Sequence, residues 1–514
     1  MRSLTLTALL LTALGASTAV SPAAAQTPGT PAAAPAKAIA PLTPVVARVL
    51  GGEQDDLASS LLVAPDGATY LVGETKSFSD KTYGDLLVTK LAPDGSLAWA
   101  RTFGGAADER LPAYLDGRHG GASRAAALGP DGSVYVVGRS QATGSKEPWA
   151  AVVLKVTAAG ELAWSKVWRP DWANMAKNAA SASAVTVAGD RVYVVGSTGA
   201  GQTGEEGMVF LASYDAASGE PKGVVAIDPS PTYNDRAFSV VADAASHAVW
   251  VSGWNGKTNR GALTRFSTDG DKLALAWTRR VPLANTGSTV CDLDRDAQGN
   301  LYLAADVHGA SNWIELAKLT ADGGFVWARR YNAGATGDVN NTRTVRVLGG
   351  KLVVGGRVGL GGTQTHADRK FGDSLLLVYG LDGALERELY HFTGTAQDVV
   401  AMDAVTSVGA RGKTLYAAGY LWPYAQNHVG EWRDPNGYAV SHPSGDGNAS
   451  DWQLDDVAGV KTLDLAKALP KAGASLTGLA WKDVTAAVGI GTPKEQSTKG
   501  HQTQLYLFAF DGLL

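Results

Sequence analysis

Short apolar runs, each closed by Gly, Asp or Pro, follow one another along most of the chain. The first four read "LASSLLVAPDG", "ATYLVGETKS", "DLLVTKLAPDG" and "SLAWARTFGG", covering residues 57–105. Branched and aromatic residues dominate them, which is the pattern of β-strands bounded by turns. Two of the boundaries are Asp-Gly pairs, Asp66-Gly67 and Asp94-Gly95. Such pairs predict tight hairpin turns, because Gly takes positive φ without steric cost. One turn joins the first run to the second and the other joins the third to the fourth, so the unit is four antiparallel strands in two hairpins.

The unit recurs. A second-strand motif of two or three apolar residues and a Gly ends at Gly73, Gly138, Gly196, Gly253, Gly355, Gly419 and Gly489, with "YLAA" (302–305) in the remaining gap. Intervals of about fifty to seventy residues are those of an array or a propeller, and radial repetition of four-stranded antiparallel sheets is a β-propeller. The expected fold is therefore all-β, a single β-propeller. The motif count gives eight blades. Seven is the alternative, since the last unit departs from the pattern beyond Trp422. "TPVVARVLGGEQDD" (43–56) matches a fourth run and "HQTQLYLFAFDG" (501–512) a third, which predicts a ring closed by an N-terminal outer strand.

The repeat resembles the bacterial beta-propeller repeat family, of the seven-bladed beta-propeller repeat type. Asp56, Asp66, Gly67, Tyr70, Gly73, Asp85, Lys90, Gly95 and Trp99 match its pattern in the first unit; Asp131, Gly132, Tyr135, Gly138, Lys155, Gly160 and Trp164 match in the second. The resemblance extends over most of 43–514. It implies a propeller serving as a binding or surface module, and it brings no catalytic set with it.

Composition narrows the partners. A net charge of −4, with no basic block, speaks against nucleic acid. Residues 1–25 have the basic start, short apolar run and small-residue end of a signal peptide. Residues 26–41 form a Pro/Ala-rich linker, and 42–514 hold the propeller with an inserted loop at about 422–455. The apolar run is too short for a membrane span. One cysteine, Cys291, allows no intrachain disulfide. The expectation is an exported protein, periplasmic or at the cell surface, and a monomer.

Propeller topology places the links between second and third strands, and those between blades, on one rim. The long segments lie there: 74–85, 104–123, 168–181, 356–374 and the stretch after Trp422. Loops on a rigid scaffold are where function collects. Arg110, Tyr114, His119, Trp172, Arg236, Trp254, Trp313, His366, Arg369, Trp422, Tyr424, His428, Trp432 and His442 fall in or beside these links. Rings next to cations and imidazoles suit polar ligands with flat apolar faces, such as glycans or peptides. The alternative is that the aromatics pack the loops down. Trp99, Trp164, Trp277 and Trp327 recur at one fourth-strand position and are read as packing between blades. The residues after each second-strand Gly include Glu74, Arg139, Asp306, Arg357 and Tyr420 and are expected at the channel mouth, either binding a charged ligand or satisfying one another. "DLDRDAQGN" (292–300) offers Asp292, Asp294 and Asp296 at alternate positions, a weak calcium pattern whose Gly falls eighth instead of sixth. No other cofactor is expected.

Three functions fit. The first is an exported binding propeller for a glycan, peptide or envelope protein. The second is a glycan lyase or hydrolase drawing His, Arg, Tyr or a carboxylate from the same loops. The third is a structural envelope or assembly protein.

Overall fold

The computed structural model describes residues 42–79, 84–111, 124–141, 149–169, 179–198, 207–229, 235–258, 260–281, 288–307, 313–331, 340–358, 373–392, 404–421, 431–433, 455–464, 479–493 and 503–514. Its strands form seven antiparallel sheets, the blades of a β-propeller. The first blade runs Asp56–Val63, Thr69–Thr75, Asp85–Leu91 and Leu97–Gly104. Five of the others repeat this order, from the second blade, built around Val134–Ser140, to the sixth, which ends in Leu385–Phe392. First strands of successive blades are neighbours, so they line the axis and the fourth strands lie outermost.

The seventh blade takes Ala404–Arg411, Thr414–Leu421 and Gln504–Asp511 from the C-terminal half and its fourth strand, Val46–Gly51, from the N-terminal end. Val46 to Leu50 pair with Ala509 to Leu505 in unbroken register. The ring is therefore closed as expected, with seven blades and not the eight of the motif count. The eighth motif, ending at Gly489, is no second strand. Thr485–Ala487 form a turn, and Gly489–Gly491 is a short edge strand on Val46–Gly51. "AAVG" has the residue types of a second strand, but the eight-residue strand that follows it, Gln504–Asp511, pairs with Thr414–Leu421 and Val46–Gly51 instead.

Residues 422–503 enter between the second and third strands of the seventh blade, longer than the 422–455 insertion expected. Their described strands add fifth, outermost strands to other blades. Glu431–Arg433 joins the sixth blade, Asp455–Asp456 the fourth, Lys461–Asp464 the third, Ala480–Asp483 the first and Gly489–Gly491 the seventh. The insertion thus travels round the perimeter against the blade order and covers sheet edges that would otherwise be open to pairing.

The Asp-Gly turns behave as the sequence demands. Gly67, Gly95 and Gly132 sit at φ of 92°, 79° and 75°, and Gly160, which follows Ala159 in the equivalent turn, at 85°. The preceding Asp adds a bond of its own: Asp66 and Asp94 each accept the N–H two residues on, at 2.9 Å. The repeated Tyr, Lys and Trp form a clasp between blades. In the first blade Lys90 lies over the Tyr70 ring at 5.3 Å and donates to the Ala158 carbonyl of the second blade at 3.1 Å, while Trp99 Nε1 donates to the same oxygen at 3.3 Å. Lys155 and Tyr135 repeat this on Ala216, and Lys318 and Trp327 on Leu381. A Cβ on Gly160 would sit 2.9 Å from the Trp99 ring, so this turn needs Gly for close approach as well as for φ. Trp99, Trp164 and Trp327 are inter-blade packing.

Candidate functional site

The channel-mouth residues end the second strands, and the register sets Glu74, Arg139, Asp306, Arg357 and Tyr420 opposite Leu57, Arg110, Thr289, Asn341 and Ala404 of the inner strands. Several of them fasten one blade to the next through a backbone N–H. Leu111 N–H donates to Glu74, Ala237 N–H to Ser197 Oγ at 3.2 Å, and Thr342 N–H to Asp306 at 2.6 Å. Asn341 also donates to Asp306 at 3.0 Å and accepts from Arg357 Nε at 3.1 Å. Arg139 lies over the Trp149 ring at 4.3 Å. Glu74 and Asp306 are thus engaged in holding blades together. Burial pushes the Glu74 carboxyl up to about 7, against the Leu111 N–H, Arg110 and Arg139, which favour its charge.

Deeper in the channel, Asp292 and Asp294 face cations. Arg124 Nε donates to Asp292 at 3.1 Å and Arg124 Nη2 to Asp294 at 2.6 Å. Arg346, from the sixth blade, pairs with Asp292 too. Ser239 of the fourth blade and Val345 N–H complete the shell at 2.6 and 2.9 Å. Arg124 itself sits beside the third blade, where its carbonyl accepts Val185 N–H at 2.9 Å. Its guanidinium therefore crosses the channel. Burial opposes the charge of Asp292, but Arg346, Arg124 and Ser239 hold it below the usual carboxylate range. Burial likewise opposes the charge on Arg124, and Asp294 and Asp292 outweigh it, so its pKa rises. Of the three residues read as weak calcium candidates, Asp292 and Asp294 accept from Arg124, while Asp296 accepts from Asn300 and Tyr302 in its own hairpin.

Between the third and fourth blades the long-link rim holds a small depression. Arg236 and Trp254 stand opposite each other in register on its wall. Asp235 and Asn255 shape the adjoining turn, the first accepting Gly256 N–H at 3.0 Å and the second Thr258 N–H at 3.1 Å. Pro229 and Val209 complete the third-blade side. A half-buried indole beside a guanidinium offers a stacking face and a bidentate donor.

The other sequence-derived residues scatter. Arg110 pairs with Asp108 at 2.8 Å beside Glu74. Trp313 opens the third strand of the fifth blade, opposite Val307. Trp432 does not line a site. It is 2% exposed, packed on His391, Phe508 and Phe510 between the sixth and seventh blades, because the insertion runs along the outer wall there. Tyr114, His119, Trp172, His366, Arg369, Trp422, Tyr424, His428 and His442 lie outside the described residues. Sequence reasoning missed Arg124, Arg346 and Ser239, whose partners are distant in the chain and marked by no local motif.

No family model matches the chain, and no curated protein matches it. Among solved structures it is similar to a protein from Dyadobacter fermentans of unknown function, at 10% identity and a TM-score of 0.41, covering 77% of this chain and 98% of that one. A Lactobacillus plantarum protein matches at 13% identity and a TM-score of 0.38, over 66% of this chain and 94% of that one. The α-L-arabinofuranosidase Arb93A of Fusarium graminearum matches at 11% and 0.36, over 76% and 98%. No chemistry passes to this chain at such identities, and its architecture as a seven-bladed β-propeller stands on its own strand pairing.

Proposed function

We propose that this is an exported binding propeller whose ligand, a glycan or a peptide, is taken up on the long-link rim at the junction of the third and fourth blades. The observation that carries the reading is the pairing of Arg236 with Trp254 across the wall of an open depression. The signal-like residues 1–25 and the repeat resemblance support export and a binding role. Carbohydrate rings and peptide aromatics present flat C–H or π faces to an indole, and a carboxylate or vicinal hydroxyls suit the guanidinium.

The test is a glycan and peptide panel probed with the full chain, Trp254→Ala and Arg236→Ala. Binding should fall tenfold or more in both variants with the melting temperature unchanged. Equal binding by wild type and variants would remove this depression as the site.

A further inference from the structure

The junction of the first and second blades buries a carboxylic acid that the binding reading does not use. Glu74 is 6% exposed and accepts the Leu111 N–H. From its own blade, Leu57 and Leu86 flank it in register. The second blade presents Arg110, Arg139 and Asp108. Arg110 pairs with Asp108, whose other oxygen, Oδ1, is buried without a hydrogen-bond partner. Glu109, next along that strand, is turned away toward Ser140 Oγ at 2.6 Å and Gly105 N–H at 2.8 Å. The junction therefore combines a carboxylate whose charge is opposed by burial with a vacant acceptor oxygen, and both favour uptake of a proton from solvent.

We propose that Glu74 is a proton-operated latch between the first and second blades. Ionised, it holds the Leu111 N–H by a charge-assisted bond. Protonated, it is a weaker acceptor and itself a donor, and the unfilled Asp108 oxygen is an acceptor in the same cluster. Leu111 follows the inner strand Glu109–Arg110 of the second blade. In the same blade Arg124, before Ala126–Leu128, is pinned by Asp292 and Asp294. Arg124 is held above its ordinary value and Asp292 below its own, so neither changes charge near neutrality. The Glu74 contact therefore answers to mild acid, and the Arg124 contact does not. The responsive range is set by a carboxyl pushed up to about 7.

Hydrogen–deuterium exchange of the full chain from pH 5.5 to 8.5, corrected for intrinsic rates, reads the latch directly. Protection at Leu111 should rise about fivefold across neutrality, the difference between a neutral and a charge-assisted bond. Val185, whose N–H is held by the Arg124 carbonyl, should stay level. Glu74→Gln, which still accepts but does not titrate, should give a flat profile at Leu111. Arg110→Met provides a second arm and should move the midpoint upward by removing a cation. A flat wild-type profile, an unaltered profile in Glu74→Gln, or an unmoved midpoint in Arg110→Met would overturn the proposal.

Discussion

Replacing Asp292 with Asn tests whether the charge bridge across the channel holds the ring. The substitution keeps size and one acceptor oxygen but removes the charge shared by Arg124 and Arg346. Those arginines would lose the carboxylate they share, and their mutual repulsion already contributes to a lowered pKa at Arg346 after the larger effect of burial. Asp292 is 0% exposed, so solvent does not replace the lost charge. Removing one partner of a buried pair costs about 3–5 kcal/mol. For a ring of this length the unfolding entropy is roughly 1 kcal/mol per degree, so the melting temperature should fall about 3–5 °C. Calorimetric melts at pH 8 in low and high salt are the assay, and the drop should persist in high salt because the pair is shielded from ions. The sign with pH is fixed. A carboxyl held below its unfolded value stabilises the fold above that value, and the contribution is lost as pH falls through the folded pKa, so variant and wild type should converge in acid. A double cycle with Arg124→Met should show coupling above about 1 kcal/mol. A variant melting within a degree of wild type at pH 8, or additive losses in the cycle, would refute the bridge.

Deleting 42–52 removes the outer strand of the seventh blade and the burial of Val49 and Leu50, each worth about 1.5–3 kcal/mol before any lost pairing; the protein should melt far lower or aggregate, whereas deleting 26–40 should change little, and equal melts would sink the closure. Trp99→Ala should cost about 3–5 kcal/mol in chemical denaturation, because both the ring contact on Gly160 and the bond to Ala158 go; a loss under 1 kcal/mol would count against the clasp. Glu74 has a folded pKa raised by burial to about 7, so its ionisation disfavours the fold above that pH and the penalty is relieved as pH falls toward the unfolded value. The stability difference between Glu74→Gln and wild type should therefore shift in the variant's favour by about 3 kcal/mol from pH 5 to pH 8, and a pH-independent difference would rule out the shift.

What could be read from the chain is what the chain repeats locally. Asp66-Gly67 and Asp94-Gly95 announce hairpins because positive φ is a demand on a single residue, and the spacing of Tyr70, Lys90 and Trp99 carries the clasp because each blade presents it to the next. Closure was legible because "VVARVLGG" and "LAWARTFGG" share a strand pattern. Blade number failed at Gly489, where a second-strand pattern sits on an edge strand of three residues. The perimeter path of the insertion was hidden for the same reason: Asp455–Asp456 and Lys461–Asp464 are too short for any period to show. The channel bridge left no mark at all, since Arg124 and Asp292 are 168 positions apart. Trp432 misled because an aromatic in a long link looks the same whether it faces a ligand or a core.

The surfaces of the ring are unequal in what they leave open to variation. Along the outer wall the insertion supplies fifth strands and side-chain contacts such as Arg279 to Asp456 at 2.8 Å and Trp481 to the Gly160 carbonyl at 3.0 Å. On the short-turn rim, the Ala158, Ala216 and Leu381 carbonyls receive the clasps, so a changed turn there loosens two blades at once. Within the channel, the short-turn half of the fifth blade's inner strand carries Asp292 and Asp294 and is committed to arginines. Substitution on any of these surfaces acts on folding before it acts on recognition. The long-link rim at the third and fourth blades is also fastened, by Ala237 N–H on Ser197 Oγ at 3.2 Å, and there Arg236 and Trp254 border a depression. The proposed site lies on the long-link rim, where loops on a rigid scaffold vary with least cost to the ring.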